Sequence, residues 1–239
     1  MSPLPAYRNR LSRQNRFLFS WSADDGEATY SRSGQIGVLA RASAGSVVTS
    51  TGTAAVAQGQ PRWLSTAKGA ALLLKPTDET LTFDCEWLQQ PLSLYVAGYI
   101  QQPTDGTTAT RRVFRLGSGV APSVDLIAKV ASGDCEAVYV DGASAPASSL
   151  TSGNPVLGDY VELLLVLDAA RKIQLTRAIN EGAAQVGALS AAGAAFAGGY
   201  AGSRLRFADG SVAAAFAYRQ VRIAAGSAMT LDDARTDNA

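Results

Sequence analysis

The stretch from Tyr160 to Asn180 leaves this chain the fewest folding options. Tyr160-Val-Glu-Leu-Leu-Leu-Val-Leu167 puts Val161, Leu163, Leu165 and Leu167 on one face, with Glu162, Leu164 and Val166 on the other. Four polar or small residues follow, Asp168-Ala-Ala-Arg171. The alternation then resumes over Lys172 to Asn180, with Ile173, Leu175 and Arg177 against Lys172, Gln174, Thr176 and Ala178. Period two on both sides of a short loop predicts a β-hairpin. A buried helix would accommodate the leucines, but not the period-two partner that follows them. Leu164 and Val166 make the first strand apolar on both faces, as a strand in the middle of a sandwich must be. Such a strand needs a second sheet over it.

The rest of the chain supplies candidates. Extended runs are predicted at Ala28 to Ser31, Val38 to Arg41, Val47 to Thr49, Pro61 to Trp63, Ala70 to Leu74, Leu81 to Trp87 and Leu92 to Ile100. Others are Arg112 to Leu116, Val124 to Val130, Glu136 to Val140, Arg204 to Phe207, Val212 to Phe216 and Gln220 to Ile223. Asp-Gly turns at Asp105-Gly106, Asp141-Gly142 and Asp209-Gly210 separate several of them. More than ten short strands at near-regular spacing predict an all-β fold, a two-sheet antiparallel sandwich of jelly-roll type. Residues 43–60 have a linker's composition, but strand patterning resumes directly after them, so residues 23–239 are read as one sandwich. Residues 1–22 stand apart as an extended N-terminal arm, with four arginines and no acid, leading through Phe17, Phe19 and Trp21 into a first strand. One short helical turn is expected within Ser227 to Arg235, capped by Thr230 with Asp232 and Asp233 in its first turn. The uncharged run from Ala183 to Ser203 is mostly Ala and Gly, too weakly apolar for a membrane span, and reads as a small-residue loop passing over a sheet.

Composition narrows the chemistry. There is no histidine, which removes the commonest general base and the commonest metal ligand together. A net charge of +1 offers no field to draw nucleic acid or an anionic membrane. Cys85 and Cys135 are too few for a zinc site or a disulfide framework and read first as small buried hydrophobes. Asp84 and Glu86 share one face of a strand, as the paired acids of sandwich glycosidases do. Those enzymes resemble one another in a Glu-x-Asp-x-Glu pattern. Here it is Thr82-Phe-Asp-Cys-Glu86, so the nucleophile position holds Thr82. No nucleophile elbow or phosphate loop occurs. The chain is therefore expected to be non-enzymatic, with no catalytic residue and no cofactor.

One resemblance covers residues 28–235. Ala28-Thr-Tyr-Ser-Arg-Ser33, Gly37-Val-Leu, Ala57-Gln-Gly-Gln-Pro-Arg-Trp63 and Gly69-Ala-Ala-Leu-Leu-Leu74 follow in an order similar to the entry of concanavalin A-like, laminin-G-type domains of tailed-phage virion proteins. Phe216-Ala-Tyr-Arg-Gln-Val-Arg-Ile223 and Ala228-Met-Thr-Leu-Asp-Asp-Ala-Arg235 resemble their last core strand and closing acidic turn. The pattern departs at Lys75-Pro76, where a Glu usually follows the second strand. The resemblance implies a sandwich used for binding or assembly on a virion, a capsid decoration or tail-associated subunit assembled in the host cytoplasm. Its partners would be other virion proteins gripped through Arg8, Arg10, Arg13 and Arg16 of the arm, with homo-oligomers formed at sandwich edges. Calcium is the one ion it leaves open, with Asp24, Asp25, Asp105 and Asp141 as candidate ligands that are each explained first as turn formers. The alternative is a lectin-like module for a cell-surface glycan, with a glycan hydrolase using Glu86 as the third reading. Among Trp63, Trp87, Tyr95, Tyr99, Tyr139 and Tyr200, most aromatics are expected in packing, and Trp63 and Tyr200 are the candidate sugar platforms.

Overall fold

The computed structural model describes residues 19–23, 28–30, 35–42, 47–53, 62–73, 81–84, 91–100, 110–117, 123–129, 134–140, 145–153, 155–193, 204–207 and 216–236. Seventeen strands are present among them. They are β1 (Phe19–Ser22), β2 (Ala28–Tyr30), β3 (Gln35–Ala42), β4 (Val47–Thr53), β5 (Arg62–Thr66), β6 (Gly69–Leu73), β7 (Leu81–Asp84), β8 (Leu92–Ile100) and β9 (Thr110–Gly117). The others are β10 (Ser123–Lys129), β11 (Cys135–Val140), β12 (Ala147–Leu150), β13 (Tyr160–Leu167), β14 (Ile173–Ile179), β15 (Gln185–Val186), β16 (Arg204–Phe207) and β17 (Phe216–Ala225). One short helix, α1, is present among the described residues and spans Leu231–Arg235.

The strands form two antiparallel sheets. The larger runs β15-β14-β13-β8-β17-β1-β3-β2, with β4 beside β3 and the β5–β6 hairpin attached to β17 through β6. The smaller runs β12-β11-β10-β9-β16-β7. The hairpin expected at the middle of the chain is β13–β14, with Leu163 opposite Arg177 and Leu165 opposite Leu175. Its other neighbour is β8, register Leu163 to Val96, and β8 in turn pairs with β17. Three segments distant in sequence thus meet at the centre of the large sheet.

Burial follows the alternation. Val161, Leu163, Leu165, Leu167, Ile173 and Leu175 are all buried, each side chain contributing roughly 1.5–3 kcal/mol by leaving water. The inner face packs toward the smaller sheet, and Tyr218 donates its hydroxyl across the interface to the Val113 carbonyl. In the smaller sheet β11 alternates buried and half-buried residues, so only one of its faces meets the core. At the open edge, Ser148 of β12 accepts from the Leu175 amide and donates to the Ala188 carbonyl, tying the sheets together. Nearby, Arg177 is fully buried. Its guanidinium donates to Gln185 Oε1, to the Ser152 and Gly153 carbonyls, and to the Cys135 sulfur at 3.4 Å. Cys135 is a buried thiol, as the sequence suggested, and burial raises its pKa.

The strand β8 is buried on both faces, and the second cover is the C-terminal segment. Tyr95, Ala97, Tyr160, Leu164, Ala178 and Ala224 on the outer face pack with Met229, Leu231 and Ala234. A five-residue helix has no stability of its own. Here Thr230 and Asp233 form a capping box, Met229 N donates to Ser93 Oγ at 2.9 Å, and Arg222 donates to the Ala234 carbonyl. The capped turn read from Thr230, Asp232 and Asp233 is therefore present. The stretch after Ala183 is not all loop: Gln185–Val186 pairs with Thr176 and Arg177 of β14. No helix among the described residues is long and apolar enough to cross a membrane.

Candidate functional site

A cleft of about 280 Å³ opens on the outer face of the large sheet, lined by Lys68, Tyr95, Tyr160, Glu162, Glu181, Arg219, Gln220 and Arg235. Its floor comes from β8, β13 and β17. Tyr95 of β8 and Glu162 of β13 point outward because Val96 and Leu163 point inward. On β17 the register with β8 shifts between Tyr218 and Gln220. This β-bulge leaves Arg219 and Gln220 together on the outer side while Tyr218 and Val221 stay inside. Arg219 reaches sideways to the Ala70 carbonyl at 2.8 Å. Among the described residues the side-chain amide of Gln220 makes no hydrogen bond.

The walls are two turns and the helix. Lys68 stands in the β5–β6 turn, where Thr66 Oγ1 accepts from the Lys68 amide and donates to the Gly69 carbonyl. Its ammonium pairs with Glu181 and lies 4.9 Å from the centre of the Tyr160 ring, a cation–π distance. Glu181 belongs to the turn after β14, closed by Gly182 N to the Ile179 carbonyl at 2.9 Å. Asn180 and Glu181 have φ of 50° and 60°, the signature of a type I′ turn. Asn180 suits it, and its side chain accepts from Tyr160 N and donates to Asp159.

At the deep end Glu162, 2% exposed, holds a dense set of donors. Tyr95 OH donates to Oε1 at 2.8 Å. Arg235 Nε lies 3.0 Å from Oε1, and Nη2 lies 2.6 Å from Oε2. A buried carboxylate is tolerable only when paired and bonded in this way. The same ion pair pins α1 to the sheet.

Burial, followed by the negative charge of Glu162, pushes the Tyr160 phenol up to about 12. Burial and the neighbouring Tyr160 and Glu162 raise Tyr95 well above its ordinary value. Arg235 is held more firmly protonated by its hydrogen bonds to Glu162, and the bond from Lys68 lowers Glu181. A phenol whose folded pKa exceeds its unfolded one stabilises the fold fully below pH ~10, and that contribution disappears as pH rises toward 12. Spectrophotometric titration of the eight tyrosines should therefore show a late group ionising at or above pH 12 together with unfolding. Ionisation of all eight together near pH 10 would contradict the buried phenol network.

The residues singled out from the sequence fall elsewhere. Arg8, Arg10, Arg13, Arg16, Tyr200, Glu86, Cys85, Trp87, Asp24, Asp25, Asp105 and Asp141 lie outside the described residues. Trp63 sits in β5, in register with Leu72, and its side chain is also outside the description. Asp84 ends β7 opposite Arg204. Tyr95 and Tyr139 are buried, as expected of packing aromatics. The cleft was missed because its residues come from six separate segments. Two signals pointed to it. One is Glu162, the only charge in an otherwise apolar strand. The other is the phase break in Phe216-Ala-Tyr-Arg-Gln-Val-Arg-Ile223, where strict alternation would bury Gln220 and Arg222 on the inner face. Among the described residues no group of three or more His, Cys, Asp or Glu is placed to hold a metal ion. Of the two carboxylates lining the cleft, Glu162 is already engaged by Tyr95 and Arg235, and Glu181 is paired with Lys68.

No protein-family model matches the sequence, and no curated protein does. Solved structures match in fold. The receptor-binding domain of botulinum neurotoxin type G superposes with a TM-score of 0.56 at 7% identity, over 91% of this chain and 49% of that one. This chain thus spans about half the length of the toxin domain. A Shewanella oneidensis protein of unknown function matches at 0.54 and 10% identity, over 96% and 98% of the two chains. Domain 4 of AbnA, an extracellular GH43 arabinanase of Geobacillus stearothermophilus solved with arabinotriose, matches at 0.53 and 15%, over 76% and 82%. At such identities the likeness is one of fold, that of a two-sheet β-sandwich.

Proposed function

We propose that this chain is a non-catalytic recognition module that binds a saccharide in the outer-face cleft. The carrying observation is the cleft itself, in which side chains from two turns, three strands and a helix converge on about 280 Å³, near the lower end of sizes that hold a small ligand. Support comes from the fold-mates, since the AbnA domain was solved with arabinotriose and the toxin domain is a receptor-binding domain. Recognition relies on hydrogen bonds and charge more than on ring stacking, because Tyr95 and Tyr160 are only 1% and 7% exposed. The motif order described from the sequence supports a virion as the carrier, with the arginine-bearing segment that leads into β1 as the attachment arm.

The test is calorimetric titration of purified chain with a panel of oligosaccharides, alongside immunodetection of the chain in purified phage particles. Binding without release of reducing ends is expected. Gln220→Ala, which disturbs no hydrogen bond among the described residues, should weaken binding about tenfold, as loss of one well-made hydrogen bond does. Failure of every saccharide to bind would overturn the ligand assignment, cleavage would overturn the non-catalytic one, and absence from particles would remove the virion.

A further inference from the structure

We infer that the cleft selects a saccharide bearing a carboxylate, which takes the place of Glu181 on Lys68. This rests on the saccharide reading above and deepens it.

The argument begins with the charges. Lys68, Arg219 and Arg235 line the cleft against Glu162 and Glu181. The two acids differ in kind. Glu162 is buried and fixed by Tyr95 and by two nitrogens of Arg235, so it cannot leave without opening the helix contact. Glu181 is 62% exposed and pairs with Lys68. An exposed ion pair is held weakly and exchanges readily with water or another anion. When Glu181 swings outward, the Lys68 ammonium at the mouth of the cleft is open to another anion, while Arg235 stays committed to Glu162 and Asp232.

Lys68 is prepared for that exchange. Its turn is fixed by Thr66, and its ammonium stays over the Tyr160 ring whichever anion it meets. A lysine ammonium has three donors, so a ligand carboxylate can replace the Glu181 oxygen without moving the lysine. Glu181, for its part, occupies a backbone position with φ of 60° that disfavours a side chain with a Cβ, in a turn type where the second central residue is commonly glycine. Strained residues of this kind cluster at ligand clamps and switches. The strain places a carboxylate at the mouth of the cleft, where it stands in for the ligand's own. Neutral sugars would find the same hydroxyl partners, such as Gln220, but would gain nothing from displacing Glu181.

The experiment titrates the intact chain with a uronic-acid trisaccharide and with the neutral trisaccharide in which each carboxylate is replaced by hydroxymethyl. Binding of the acidic sugar about tenfold tighter is expected, as for a gained charge-assisted hydrogen bond. Lys68→Met should erase that difference. Glu181→Gln, which removes the internal competitor and keeps the turn, should tighten the acidic sugar about threefold. Circular dichroism of both variants confirms the fold. Equal affinity for the two sugars, or a preference that survives Lys68→Met, overturns this inference and leaves the saccharide reading standing. Binding of neither sugar, nor of any other saccharide, overturns both.

Discussion

Gly98→Ala is expected to destabilise the protein by about 3 kcal/mol, a fall in Tm of roughly 6–12 °C for a chain of this size. A Cβ built at Gly98 would lie 2.1 Å from the Ala217 carbonyl oxygen and 2.5 Å from a ring carbon of Phe216. The ring is not free to rotate aside, because Phe216 is buried and packs edge-on against Tyr218 at 5.1 Å. The carbonyl has no freedom, since Ala217 and Tyr218 are in register with Tyr99 and Gly98 in the central β8–β17 ladder. Relief therefore requires the two central strands to separate. Gly158→Ala is the informative control. Gly158 has φ of 87° with nothing within 4 Å of a built Cβ, so its cost is the backbone strain alone, about 1 kcal/mol. Urea denaturation of the two variants would decide the matter, and equal midpoints would show that the β8–β17 interface is looser than described.

The elements read correctly from the sequence are those in which alternation and cap chemistry agree with tertiary packing. β13 and β14 needed no outside help, because six apolar residues on one face specify register by themselves. The helix cap was legible because Thr230 and Asp233 are three residues apart, the spacing that a capping box requires. β12, Ala147–Leu150, was not legible. Its Ala-Ser-Ser-Leu sequence has no apolar face, and what places it is Ser148 bonding to the Leu175 amide of another sheet. β17 was read as two runs, because the bulge at Arg219 breaks the period of two that defines a strand.

The candidate site was harder to read for a related reason. Local pattern identifies which face a residue occupies, but not which distant turn stands over it. Lys68 and Glu181 are turn residues 113 positions apart, and only the arrangement of β6, β17, β8, β13 and β14 across the sheet makes them partners. Tyr95 and Tyr139 are buried, in line with the packing role expected of most aromatics, and the two sugar-platform candidates, Trp63 and Tyr200, have side chains outside the described residues. The polar residues set by the bulge and the turns line the cleft instead.

Arg235→Ala is expected to cost about 3 kcal/mol, an effect out of proportion to the loss of a partly exposed arginine at the end of a five-residue helix. The size follows from what remains. Glu162 would stay on the sheet with Tyr95 as its hydrogen-bond partner among the residues that now hold it. Removing one member of a pair leaves the other as an uncompensated charge, and that penalty exceeds the worth of the contact. Neutralising the stranded group should therefore restore stability. In the Arg235→Ala background, Glu162→Gln is expected to recover about 2 kcal/mol, because the amide carries no charge and its oxygen still accepts from Tyr95. The same Glu162→Gln change in the unaltered chain should instead be destabilising, since it removes the charge that orients Arg235. This reversal of sign is a coupling between neighbours that additive contributions cannot produce. It also separates the charge effect from simple loss of α1. If the helix merely detached, Leu231 and Ala234 would leave the outer face and Glu162→Gln would have little effect in that background. Equilibrium urea unfolding of the four proteins measures the coupling directly, and a sum of independent terms would show that the Glu162–Arg235 pair does not hold the C-terminal segment over the cleft.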